Sequence, residues 1–522
     1  MLPCLETSSD ASPVPALGLL PTLAAGRRHE ELWDVFLAHA HRLRAESSAV
    51  LDALDRRLIA DGSMREWPVA AVHVWIRQRL ERVPSRETLA IADLALEELR
   101  RQLEQERTAD RLRLAAAELV ILVSTASYEA AAGAADVLRS LLPGLPAEQQ
   151  VGLASPIRHL LDLALDAYIG ACRLDDAENV LDARGYTPDD VAEREARSTR
   201  AFLHAVRGDA AGAERLLDGL PTVPLDAPPR DGMSARESMA RAIVQFDGGE
   251  HEHAIALLNE IEPHHLAAPE WPFAAFLTAR LLTVIDPITG MEHLHRLLHR
   301  TRNAPVSRRL KHVLRAAVAD LALAADDVPT AQRMLRDIDA EDHLLRISAA
   351  RLALITGDPE AARDLANLLT APDLWPAPRA QALLLLAVHL HRAGHPDEAQ
   401  AAARRAIAIT SELRRRTFPS LVPHSDLLEI IGSTTTGLPT DPSAPRHLDT
   451  VLARIQLTGR ESALLARLES GATLTSIAQS EFVALSTVKS QLRALYRKLG
   501  VASREEAVLC ARRRGLLPLR TS

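Results

Sequence analysis

The sequence predicts an all-α protein: a solenoid of helix pairs, a linker, and a small four-helix domain at the C-terminal end. Three observations carry this. Hydrophobic residues make up 47% of the 522, yet aromatics only 3%, so the core is built from Leu, Ala, Ile and Val, and Ala and Leu favour helix. A short helix–turn–helix pattern recurs along most of the chain. Finally, the charge is split. Residues 451–522 hold twelve basic and five acidic residues, a net of +7 against −15 for the remainder, so an anionic partner would be met by the tail.

Residues 1–28 read as a flexible leader, with prolines breaking the apolar stretch from Pro13 to Ala25. Glu6 and Asp10 precede any basic residue, unlike a secretory signal, and no apolar run reaches the ~20 residues of a membrane helix. The three cysteines, Cys4, Cys172 and Cys510, are far apart and form no CxxC pair. Together these predict a soluble cytoplasmic protein with no disulfide framework and no membrane partner.

Residues 29–431 read almost throughout as amphipathic helix, as in LLDLALDAYIGACRL (160–174) and LLLLAVHLHRAG (383–394). The recurring pattern is a helix end, a Gly or Asp turn, then a small residue and an apolar pair. Its small-residue anchors are Ala177, Ala213, Ala254, Gly290 (in a weaker match), Ala331, Ala362 and Ala399, spaced by 36, 41, 36, 41, 31 and 37. Gly suits the left-handed residue that ends a helix, Asp or Glu the start of the next, and Ala a close helix crossing. A helix pair of this size buries its apolar stripe only by stacking on neighbours. The pattern resembles the tetratricopeptide-repeat superfamily, whose period is about 34 residues, although Leu or Ala mostly replaces the family's Trp, Tyr and Phe. The alternative is a non-repeating helical bundle. The five Trp read as core or inter-helix packing.

Residues 432–447 are rich in Gly, Ser, Thr and Pro and read as a linker. The last domain, 448–522, contains four helices bounded by local signals. Thr458 caps the first with Glu461 three residues on, and Gly471 stops it. Thr473 caps the second, the third runs from about Leu485 to Leu499, and Ser503 caps the fourth. Ile477, Ala478, Val483, Val488 and Leu492 have the spacing to hold the second and third together. The third then exposes Ser486, Lys489, Ser490, Arg493, Arg497 and Lys498. A basic helix of this kind fits the DNA major groove. Two of the protein's three lysines lie on it.

The segments LTGRE, STVKSQL, YRKLGV and SREEAV, with the Gly471–Ala478 turn and helix, resemble the LuxR/GerE-type helix-turn-helix of transcription regulators. The resemblance spans about 60 residues and implies binding of double-stranded DNA as a homodimer. It places Lys489, Ser490 and Arg493 at bases, Thr487, Arg497 and Lys498 near the backbone, and Ala507, Val508 and Ala511 at a dimer contact. Two positions depart from the family: Glu481 stands where Leu is usual, and Ala484 where a capping Ser is usual.

Large regulators of this type add a nucleotide-hydrolysing domain. Here no GxxxxGK[ST] loop occurs, nor any Gly-Lys pair, nor GxSxG, HExxH or GxGxxG. No enzyme activity and no cofactor are expected. The histidines His251, His253, His264, His265, His293, His295 and His299 come without cysteine, and no metal is expected there. The expected function is a transcription regulator whose solenoid binds a regulatory ligand or protein. The second reading is an interaction scaffold whose tail has lost DNA binding.

Overall fold

The computed structural model describes residues 16–517 except 45, 61–63, 65, 82–83, 106–108, 145–153, 184–189, 221–234, 262–268, 302–304, 340, 357, 359, 413–421, 433–456, 500 and 514–515. The described residues form 26 α-helices and no strand. None of these helices is long and apolar enough to cross a membrane. The expected linker falls outside the described residues apart from Gly432.

Two compact units are formed, Met1–Arg200 with Glu262–Phe273 and His299–Lys311, and Ala201–Ile261 with Ala274–Leu298 and His312–Ser522. The first holds α1 (Ala16–Ala25), α2 (His29–Leu43), α3 (Ser48–Ile59), α4 (Trp67–Leu80), α5 (Arg86–Gln105), α6 (Ala109–Ser124), α7 (Tyr128–Leu141), α8 (Ala154–Gly170) and α9 (Leu174–Ala183). Sequence neighbours pack on one another: α1 on α2, α3 on α4, each of α4 to α7 on the next, and α8 on both α7 and α9. Part of the expected leader is thus ordered. Residues 16–25 form a helix despite Pro21, because Ala16, Leu20, Leu23 and Ala24 bury one face. Local proline propensity is outweighed by that burial.

Aromatic residues gather at one place in this unit. Trp33, Phe36, Trp67 and Trp75 pack with ring centroids 5.2–5.6 Å apart, two of the three pairs edge-on. Further along, Tyr168 on α8 donates to Asp136 at 2.7 Å, and Arg173 grips the same carboxylate at 2.7 and 3.1 Å while stacking over the Tyr168 ring. Burial pushes the Tyr168 hydroxyl up to about 12.

In chain order follow α10 (Asp190–Arg207), α11 (Ala210–Leu217), α12 (Ala235–Gly248), α13 (His251–Glu260), α14 (Trp271–Ile285), α15 (Pro287–Arg300), α16 (Arg308–Ala324), α17 (Val328–Met334), α18 (His343–Thr356), α19 (Ala361–Leu368), α20 (Pro376–Arg392), α21 (Pro396–Glu412) and α22 (His424–Ile431). In the second unit α11 packs on α12, α12 on α13, and α18 to α21 each on the next.

One turn recurs in both units. Ala126, Cys172, Gly208, Gly249, Asp326 and Gly394 all have positive φ. At each, the left-handed residue's N–H bonds the carbonyl three back, and the next N–H the carbonyl five back. That is the Schellman helix stop. Five residues after each left-handed residue comes an alanine that is 0% exposed: Ala131, Ala177, Ala213, Ala254, Ala331 and Ala399. The expected anchors therefore hold at five positions, and Ala126–Ala131 adds a repeat without the Gly or Asp signal. Ala362 is a correction. It is only half-buried, and its neighbour Ala361 takes the core place. Gly290 is small for a reason: a Cβ there would lie 2.8 Å from Leu282 and 2.9 Å from Leu321.

Among the described residues no three potential metal ligands cluster; His264 and His265 lie outside them. Four of the five Trp are buried, and Trp375 is half-buried.

Candidate nucleic-acid interface

The C-terminal domain is made of α23 (Gly459–Glu469), α24 (Leu474–Ser480), α25 (Leu485–Leu499) and α26 (Arg504–Arg513). Side-chain caps set three of the four starts. Thr458 and Glu461 form a reciprocal capping box, with Glu461 N donating to Thr458 Oγ1 at 3.3 Å and Thr458 N donating to Glu461 Oε2 at 2.7 Å. Thr473 accepts from Ser476 N at 3.2 Å, and Ser503 from Glu506 N at 3.1 Å. Gly471 and Phe482, at φ 85° and 54°, end α23 and α24 in the same Schellman geometry as the repeats.

Leu464, Leu465 and Leu468 of α23, Ile477 and Ala478 of α24, Val488, Leu495 and Leu499 of α25, and Ala507 and Ala511 of α26 form one core, with Leu492 packed against it. Polar ties support it. Arg504 donates to the Leu468 carbonyl at 2.6 Å, and Arg512 meets Glu469 at 3.0 Å. Val483 differs from expectation. It lies 38% exposed in the turn rather than between the helices, because the left-handed Phe482 turns the chain outward there.

Of the expected DNA-facing residues, Ser486, Thr487, Lys489, Ser490, Arg493, Arg497 and Lys498 are all exposed on α25. Leu485, Lys489, Arg493 and Arg497 follow at successive four-residue steps, so they share one stripe of the helix. Among the described residues Lys489, Arg493 and Arg497 have no acidic partner within 4.0 Å. Lys498 differs: its Nζ donates to Glu461 Oε2 at 2.7 Å. That bond first, and the Thr458 amide second, hold the Glu461 carboxyl below the usual carboxylate range. Lys498 thus joins α25 to the cap of α23.

Both departures from the family pattern have visible consequences. Glu481 pairs with Arg467 at 3.0 Å, so its charge is answered within the domain. Ala484 offers no side-chain cap. The first amides of α25 reach only its carbonyl, from Thr487 N at 2.9 Å and Val488 N at 3.3 Å.

The expected dimer contact needs correction. Ala507 and Ala511 are 0% exposed and belong to the domain's own core, and Val508 is half-buried against it. The outward apolar residue of α26 is Leu509, 51% exposed. Helical spacing could have found it: small apolar residues at i and i+4 mark the inner face, and Leu509 falls opposite.

One family match agrees with the geometry of the C-terminal domain. Residues 455–511 match the family described as bacterial regulatory proteins, luxR family. No curated protein matches the chain. Among solved structures, the chain is similar to the pentatricopeptide repeat protein PPR10 from maize, at 14% identity over 97% of this chain and 89% of that one, with a TM-score of 0.24. Residues 455–511 are therefore a helix-turn-helix domain of the luxR family of bacterial regulatory proteins.

Proposed function

We propose that the protein is a cytoplasmic transcription regulator that binds double-stranded DNA by placing α25 in the major groove. The observation that carries this reading is the stripe of Lys489, Arg493 and Arg497, exposed and unneutralised, flanked by the hydroxyls of Ser486, Thr487 and Ser490. In this reading the N-terminal half of α25 reads base edges, and Arg497 meets phosphate. Lys498 contributes to phosphate binding only by leaving Glu461. The protein binds as a homodimer over two half-sites, with Leu509 in the contact together with Val508. Leu509→Glu should then lose protection of the second half-site in a footprint. The helical repeats take a regulatory ligand or protein, and no catalytic role is assigned to them.

The test is Lys489→Ala combined with Arg493→Ala in the full chain. Site-specific footprints on genomic fragments should vanish while the helical circular dichroism spectrum is retained. The salt slope of the residual non-specific binding should stay near the native value, because Arg497 still meets phosphate. Unchanged footprints would sink the assignment.

The uncapped start of α25 at Ala484 favours a second reading, an interaction scaffold with a weakened tail. Glu481→Leu with Ala484→Ser separates the two. Binding that emerges only in that variant supports the scaffold, and binding already present in the native chain rejects it.

A further inference from the structure

Phe482 is 96% exposed, the most exposed large apolar side chain among the described residues. Its φ of 54° is the left-handed conformation that ends α24. That position favours glycine or asparagine, and an aromatic side chain adds strain there. Little is gained for folding in exchange, because the side chain buries almost no surface against its own domain. The residue thus works against the fold in the free protein, which points to a use elsewhere.

Its neighbours say where. Val483 and Leu485 are each 38% exposed, so the turn before α25 presents three apolar side chains together. Leu485 heads the stripe that continues through Lys489, Arg493 and Arg497. An apolar tip followed by unneutralised cations suits a duplex. Phosphates answer the cations, while deoxyribose edges and thymine methyl groups offer apolar surface beside them.

We propose that Phe482 is a DNA-contacting residue, packing with Leu485 against sugar edges or a thymine methyl at the mouth of the groove. This rests on the reading of α25 as the groove-binding helix. A partner protein on the same tip is the competing occupant.

The test is Phe482→Asn in the full chain, with Phe482→Gly as a second variant. Both residues accept the left-handed φ, so the thermal midpoint should stay level or rise. Affinity for the fragment that the native chain footprints should fall on the order of tenfold, the worth of burying most of an aromatic ring. That loss should be nearly the same at low and high salt, because an apolar ring neutralises no phosphate and so releases no counterion. Arg497→Ala, which removes a phosphate contact, should instead flatten the salt slope by ~0.9. Native affinity in both variants overturns the proposal and leaves the groove-binding reading standing, with the tip assigned to a protein. A native chain that footprints no fragment overturns both.

Discussion

Glu461 shows how much one side chain can organise. Its carboxylate closes the capping box on Thr458 and holds Lys498 at 2.7 Å, so the start of α23 and the end of α25 share one anion. Ala484 is the opposite case, a helix start without a side-chain acceptor. Ala484→Ser should stabilise the domain by about 1 kcal/mol through a bond to an amide of the first turn. Denaturant unfolding of the full chain checks this, and a transition that does not move would mean that α25 starts elsewhere. The sequence made these residues legible because caps are local chemistry. Thr458, Thr473 and Ser503 each bond an amide three residues on, and the helix limits followed to within a residue or two. Ala507 and Ala511 were misplaced because their role was transferred from a resemblance, when their four-residue spacing already marked a core face.

At the scale of elements, the repeats are held by close crossings rather than by large side chains. Two glycines test this in opposite directions. A Cβ at Gly170 on α8 would fall within the ring of the buried Tyr128, whereas one at Gly133 on α7 would meet nothing within 4 Å. Gly133→Ala should therefore stabilise by up to ~1 kcal/mol. Gly170→Ala should destabilise by about 1–3 kcal/mol, overpacking outweighing helix propensity. Thermal unfolding distinguishes them, and equal shifts would contradict the crossing. The repeat phase could be read from sequence where Gly or Asp marked the turn. It could not be read at Ala126, where a left-handed alanine leaves no compositional mark. Nor could α1 be foreseen, since Pro21 argues locally against a helix and only the burial of Ala16, Leu20, Leu23 and Ala24 outweighs it. Phe482 escaped notice similarly, because sequence alone does not distinguish an exposed apolar residue from a buried one.

On the scale of the whole molecule, opposite charges occupy different parts of one chain, −15 up to residue 450 and +7 beyond it. The acidic part repels a polyanion, so non-specific DNA binding should be carried by the tail. The scarcity of lysine then has a practical consequence. Lys311, Lys489 and Lys498 are the only three in 522 residues, so an amine-acylating reagent has few side chains to modify. Lys489 projects freely from α25 and should react fast, Lys498 should lag while Glu461 holds it, and exposed Lys311 provides an internal reference. Peptide mass mapping with and without a footprinted fragment should show Lys489 protected and Lys311 unchanged. Equal acylation of Lys489 in both samples would remove it from the interface. On the proposed reading of α25, acylation of the Lys489 amine alone should weaken site-specific binding.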